Sequence, residues 1–251
     1  MKPRGVRMGT VTLERHAPTV IASFTDRTPL ATLRSSVDKG LDLAEARVDL
    51  FREPDSKKIV RFVREVSAFV PVLATLRSAS EGGKWGEDEG ARLALYRELL
   101  PQVAAIDVEL DSSSRAATVQ VARRHRRVVV LSHHDFDRTP PDAELDRVIA
   151  KSRAAGADIT KIATLVTSEE DVARLAALFA RHAEAPLVVI GMGEIGKKTR
   201  ILFPALGSLF TFASLDRATA PGQLKLAETV RELKRYYPAY GRTPRQRGKA
   251  G

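Results

Sequence analysis

Eight short β-rich segments recur along this chain, each followed by a helical pattern, and that alternation limits the fold more than any other feature. They begin at Thr19 (TVIASF), Glu45 (EARVDLF), Pro71 (PVLATLRS), Ala105 (AIDVEL), Arg127 (RVVVLSHH), Asp158 (DITKIAT), Ala185 (APLVVIGMG) and Ser208 (SLFTFAS). The starts lie roughly 25–30 residues apart, about the length of one βα unit. Residues 88–103 and 168–184 read as helices, the second with Ser168 as its N-cap and acids at the positive end of the helix dipole. Alternating strands and helices imply a parallel sheet, and eight units imply a (βα)8 TIM barrel, a parallel eight-stranded barrel with outer helices. The chain has 251 residues, 43% of them hydrophobic, which suits one such barrel. Residues 1–251 are therefore expected to form a single catalytic domain, with a short basic N-terminal segment and a polar basic tail over 241–251.

The faces of the strands sharpen this expectation. Side chains alternate with period two along a strand. Glu45, Arg47 and Asp49 then share one face opposite Ala46, Val48 and Leu50; Thr75 and Arg77 oppose Ala74 and Leu76; Asp107 and Glu109 oppose Ile106 and Val108. In an ordinary one-sided sheet the polar face would meet water. Where helices cover the strands, the apolar face must pack outward against them. The polar set then points into the barrel, near the C-terminal strand ends where barrel enzymes carry their chemistry.

Several function classes fall away on composition. Without cysteine there is no disulfide, thiolate metal site or cysteine nucleophile. No apolar run reaches the roughly 20 residues that cross a bilayer, and the basic N-terminus lacks the apolar stretch of a signal peptide. A cytoplasmic protein is expected. The net charge of +10 raises nucleic acid as a partner. Residues 231–251, however, hold seven Lys/Arg against one Glu, a net of +6, mostly in a polar extension. The RRHRR run at Arg123 precedes a strand and has no aromatic side chains for bases to stack on. A solvated surface is the expected reading, with the remaining positive charge favouring an anionic metabolite.

Lys161, inside ADITKIAT, is the most informative residue. Burial disfavours the charged amine, and a neutral amine can attack a carbonyl to form an imine. The plainer reading is a lysine paired with an acid such as Glu109, and spacing does not choose between them. His133 and His134 end the fifth strand; histidine can take and return a proton near neutral pH. Neighbours on a strand face opposite ways and no third ligand is spaced to help, so no metal site is expected. Which histidine faces inward needs the register. Glu81 and Arg77 lie in RSASEGGKWG after the third strand, where Gly82 and Gly83 permit a tight turn. GMGEIG, from Gly191, matches G-x-G-x-x-G, but it comes seventh in the strand series rather than in a first βα turn. A phosphate site after barrel strands seven and eight is its better alternative. TAPGQ, from Thr219, follows the last strand as a turn, either a closing loop or a connector.

Together, EARVD, TLRSASEGG, SHHDF with its following TP, ADITKIA, MGEIGKKTR and TAPGQ resemble type I 3-dehydroquinate dehydratases, in collinear order from about Thr19 to Gln223. The resemblance implies a (βα)8 barrel without metal or external cofactor. It implies conversion of 3-dehydroquinate to 3-dehydroshikimate plus water in the shikimate pathway of aromatic amino-acid biosynthesis, by a homodimer. On this pattern Lys161 matches the Schiff-base lysine, His134 the acid/base histidine and Glu81 the acid beside it, while His133 falls at a variable position. Glu45, Arg47, Arg77, Arg200, Thr219 and Gln223 match substrate contacts, Met192 lines the site, and Ser23 is a looser match. Thr219 stands where serine is also familiar; the hydroxyl is kept. Arg200 resembles a carboxylate clamp, a task suited to the planar guanidinium.

Two other readings differ in class. One is another Schiff-base barrel lyase, such as a class I aldolase acting on a sugar phosphate; the arginine-rich site argues against it. The other is a basic nucleic-acid-binding protein that uses its charged ends.

Overall fold

The computed structural model describes residues 5–15, 17–86, 88–215, 221–237 and 240. A hairpin opens it, β1 (Val6–Met8) paired antiparallel with β2 (Val11–Leu13). Eight parallel strands follow: β3 (Val20–Phe24), β4 (Leu43–Arg47), β5 (Val72–Thr75), β6 (Ala105–Glu109), β7 (Val128–Asp135), β8 (Ile159–Leu165), β9 (Leu187–Met192) and β10 (Thr211–Ser214). β10 pairs with β3, and each later strand pairs with the next as far as β9. The seam between β9 and β10 is bridged by Leu209 N–H donating to Leu187 C=O at 2.9 Å and Val189 N–H donating to Ser208 Oγ at 3.3 Å. A short β11 (Leu224–Lys225) extends the sheet beside β10. The chain is a (βα)8 barrel.

Helices fill the connections: α1 (Leu30–Asp38), α2 (Ser56–Ser67), α3 (Glu89–Leu99), α4 (Arg115–Arg124), α5 (Asp142–Ala154) and α6 (Glu169–Arg181). The pair α7 (Gly193–Gly196) and α8 (Thr199–Leu206) follows β9, and α9 (Leu226–Tyr236) closes the series. Their sequences explain them. In α2, Ile59, Val63 and Val66 fall on one stripe and are buried, and Asp55 caps the start through Lys57 N–H. In α6 the expected Ser168 cap is half of a capping box, with Asp171 answering it. The helix expected over 88–103 is shorter, beginning after its Asp88 cap and ending at Leu99.

Two apolar cores result. Outward strand residues such as Ala22, Ala46, Ala74, Val108, Leu131 and Ile162 pack under the helices. Ile21, Leu43, Leu73, Ala105, Val130, Ile159 and Val188 fill the inside at the N-terminal strand ends. Met8 and Leu13 of the hairpin join that inner core and stopper it. Burying a side chain like Leu13 stabilises by roughly 1.5–3 kcal/mol. The hairpin is too short for a periodicity signal to register.

The second strand differs from its expected span. It runs Leu43–Arg47, and Val48–Leu50 is a turn of 3-10 helix. Asp49 therefore leaves the strand face and reaches back to Arg47, a local ion pair that alternation could not reveal. The eighth strand likewise starts later, at Thr211.

Candidate active site

The inward row of each strand turns polar toward its C-terminal end. Lys161 on β8 is 5% exposed and donates from Nζ to Asp107 Oδ2 at 2.9 Å, and Nζ lies 4.8 Å from the centre of the Phe212 ring. Asp107 Oδ1 also accepts from Arg77 Nη2 at 2.7 Å and from Ser132 Oγ at 2.6 Å. Burial works to raise the Asp107 carboxyl, but Arg77 and Lys161 overcome it and hold it well below the usual carboxylate range. The acid beside the lysine is thus Asp107 and not Glu109. Both oxygens of Glu109 are already taken, Oε1 by Arg77 Nη1 at 2.7 Å and Oε2 by Arg92.

The register settles the histidines. His134 shares the inward face with Val130 and Ser132 and lines the pocket, while His133 faces away and its ring Nε2 is buried without a hydrogen-bond partner. His134 Nδ1 lies 2.7 Å from Glu81 Oε2, and the same oxygen accepts His134 N–H at 3.1 Å. Glu81 ends a 3-10 turn, and Gly82 after it has φ +77°, a left-handed conformation that disfavours a side chain. A Cβ there would strike the Phe136 ring, so the glycine lets Phe136 close over the turn. The Phe136 ring lies stacked on His134, centroids 6.3 Å apart. Burial pushes Glu81 up to about 8, with Arg77 opposing. Burial, then Arg77 and Lys161, hold His134 well below its ordinary value. The pair is therefore oriented with the imidazole neutral, the form that can accept a proton.

Around these stand the other groups. Glu45 accepts Ser23 Oγ at 2.5 Å and Thr75 Oγ1 at 2.9 Å. Arg47 is held in a two-pronged pair by Asp49 at 2.9 and 2.8 Å, and Asp49 also accepts Lys84 N–H at 3.2 Å, tying β4 to the loop that bears Glu81. Arg200, 2% exposed, donates to the carbonyls of Gly222 at 2.8 Å and Pro221 at 3.0 Å. Burial lowers it to about 10, so it stays cationic at neutral pH. Among the described residues no carboxylate pairs with it. Gln223 donates to Ala213 C=O at 3.1 Å. Thr219 lies outside the described residues.

Glu45, Arg47, Arg77, Glu81, His134, Lys161, Met192, Arg200 and Gln223 line one pocket of roughly 520 Å3, including solvent at its mouth. Ser23 donates to Glu45, which lines it. Asp107, Ser132 and Asp49 support these side chains; alternation puts Asp107 and Asp49 on polar strand faces but gives none of the three a role. Asp107 and Ser132 lie on inward-facing positions at period two, which is the signal that marks them. Phe136 and Phe212 complete the apolar lining. The glycines of GMGEIG have a packing reason, because a Cβ on Gly196 would meet the Gly191 backbone at 2.5 Å. The RRHRR run is partly consumed too. Arg123 pairs with Asp158, and Arg127 donates to the carbonyls of Leu100 and Pro101.

Fold and pocket are those of a (βα)8-barrel enzyme with a buried lysine at the C-terminal strand ends. The model of the type I 3-dehydroquinase family matches residues 19–240. A 3-dehydroquinate dehydratase of Methanosarcina acetivorans is 37% identical, over 88% of this chain and 96% of its own. That of Methanococcoides burtonii is 33% identical, over 91% and 98%. The crystal structure of 3-dehydroquinate dehydratase from Geobacillus kaustophilus superposes with a TM-score of 0.85 at 27% identity, covering 92% of this chain and 96% of that one. The chain belongs to the type I 3-dehydroquinase family.

Proposed function

We propose that this chain is a hydro-lyase that converts 3-dehydroquinate to 3-dehydroshikimate and water through a Schiff base on Lys161, in the shikimate pathway. Family membership supports the reaction. The observation that carries the site reading is a pocket holding a buried lysine, an inward histidine against Glu81 and a buried arginine that meets no carboxylate among the described residues. That set suits a keto acid bearing one carboxylate.

In this reading Lys161 Nζ attacks the substrate ketone, and loss of its oxygen as water leaves an iminium. The iminium draws electrons from the adjacent carbon and acidifies its proton. His134 removes that proton and returns it to the departing hydroxyl, so a second water leaves as the ring double bond forms. Hydrolysis of the iminium then restores Lys161 and takes back one water. The net release is one water. Glu81 keeps the imidazole oriented through Nδ1. Arg200 clamps the carboxylate, with Glu45, Arg47, Arg77, Gln223 and Thr219 holding hydroxyls, and Met192 and Ser23 shaping the wall. The iminium on Lys161 is the electron sink, so the chemistry asks for no metal or external cofactor.

We also propose that residues 1–251 form a single catalytic domain ending in a polar basic tail over 241–251, in the cytoplasm and as a homodimer; light scattering reads the last directly. Among the described residues no helix is long and apolar enough to cross a membrane. Incubation with 3-dehydroquinate, watched for the ultraviolet absorbance of the conjugated enone, tests the reaction. Turnover of a sugar phosphate, with none of 3-dehydroquinate, would overturn it.

A further inference from the structure

Arg92 is a fully buried cation that the chemistry above does not use. It belongs to α3, in the outer layer, yet its guanidinium joins two carboxylates. Nη1 donates to Glu89 Oε1 at 2.9 Å, and Nη2 to Glu109 Oε2. Glu109 Oε1 accepts Arg77 Nη1 at 2.7 Å and Ser78 N–H at 2.9 Å. Arg77 then holds Asp107 at 2.7 Å, and Asp107 holds Lys161 at 2.9 Å. Anion and cation alternate without a gap: Glu89, Arg92, Glu109, Arg77, Asp107, Lys161. One turn further along α3, Tyr96 donates its hydroxyl to Asp107 C=O at 2.6 Å and accepts Leu76 N–H at 3.2 Å. One helix therefore grips the neighbourhoods of both Arg77 and Asp107.

We propose that Arg92 and Glu109 are positioning residues, which fix Arg77 and through it the Asp107–Lys161 pair in the geometry that imine formation requires. This rests on the Schiff-base reading above. The physical reason is that Asp107 divides its charge between two cations. How firmly it holds Lys161 depends on where Arg77 sits. Arg77 donates to both Asp107 and Glu109 and also feels the charge of Glu81. Neutralising Glu109 leaves Arg77 and Arg92 confronting each other across an uncharged group. In a low-dielectric interior that repulsion is poorly screened, so Arg77 swings toward the remaining acids. Removing Arg92 instead leaves Glu109 with a single cation, which draws Arg77 away from Asp107. Neither Arg92 nor Glu109 lines the pocket, so either change reaches the lysine only through Arg77.

The test uses the full chain with Glu109→Gln, Arg92→Met, Arg92→Lys and the double variant Arg92→Met/Glu109→Gln. Each is measured for thermal unfolding, kcat and KM on 3-dehydroquinate, and rate of borohydride trapping at Lys161. Misplacement of reacting groups costs up to about 100-fold, so Glu109→Gln should lower kcat by roughly 10-fold or more, with a smaller rise in KM because Arg77 also lines the pocket. Trapping should slow in parallel. Arg92→Lys should recover most of what Arg92→Met loses. The double variant should be no slower than Glu109→Gln alone, because both residues act through Arg77. Should Arg92→Met fail to fold, Arg92→Lys and the nearly isosteric Glu109→Gln still decide. Folded variants with unchanged kcat, losses that add in the double variant, or losses that only track the folded fraction would overturn the proposal. Absence of turnover by the unsubstituted protein would sink the reaction as well, whereas native turnover with indifferent variants sinks only the relay.

Discussion

His134 Nδ1 and Glu81 Oε2 stand 2.7 Å apart, joining β7 to the loop after β5 across residues that share no local sequence. The contact holds the inward one of two adjacent histidines in place. His134→Ala should cut turnover by about 10²–10⁴-fold, the usual contribution of a general acid/base. His133→Ala should change it far less, since that ring faces out of the barrel. Steady-state kinetics on both variants checks this, and the opposite ranking would contradict the inward assignment.

Glu81 also makes stability depend on pH. Its carboxyl rises from the ordinary 4.5 to about 8 in the folded state, chiefly through burial. Folding therefore takes up a proton in that window, and the folded state is favoured where the carboxyl is protonated. This contribution is complete below pH 4.5 and is lost as pH rises through about 8. Denaturant unfolding across that range should show stability falling with pH, and Glu81→Gln should flatten the slope. An unchanged slope would mean that Glu81 titrates normally.

Lys161 should be the only lysine that borohydride fixes in the presence of 3-dehydroquinate. Peptide mapping of the reduced adduct reads the site. Lys161→Ala should abolish both the adduct and turnover while keeping a cooperative thermal transition. An adduct on Lys197 or Lys198, which pair with Glu194 and Glu169 at the surface, would point to a different centre.

Arg200 separates a keto-acid site from a phosphate site. Arg200→Lys keeps the charge but loses the planar fork. Charge-assisted hydrogen bonds of about 1.5–3 kcal/mol are at stake, so KM should rise roughly 10–100-fold. Trapping at Lys161 should persist at saturating substrate. The change also removes contacts to Pro221 and Gly222, so faster hydrogen exchange at the Gly222 and Gln223 amides should accompany it. Unchanged KM would leave Arg47 or Arg77 as the carboxylate partner.

The sequence by itself determined the barrel, because eight repeats of a period-two segment and a helical stretch have few ways to bury their apolar faces. It also determined that the polar face turns inward, and it marked Lys161, Glu81, Arg77 and Arg200 through local motifs. Tertiary structure alone decided what alternation cannot carry. The register across β6, β7 and β8 chose His134 over His133. Competition for acceptors gave Lys161 to Asp107, since arginines from β5's end and from α3 had already filled Glu109. Asp49 left its strand for a 3-10 turn and found Arg47, and a three-residue hairpin strand became the stopper of the barrel. Such choices turn on distances between residues far apart in the chain. Periodicity sets which way a side chain points, and only packing sets what it meets.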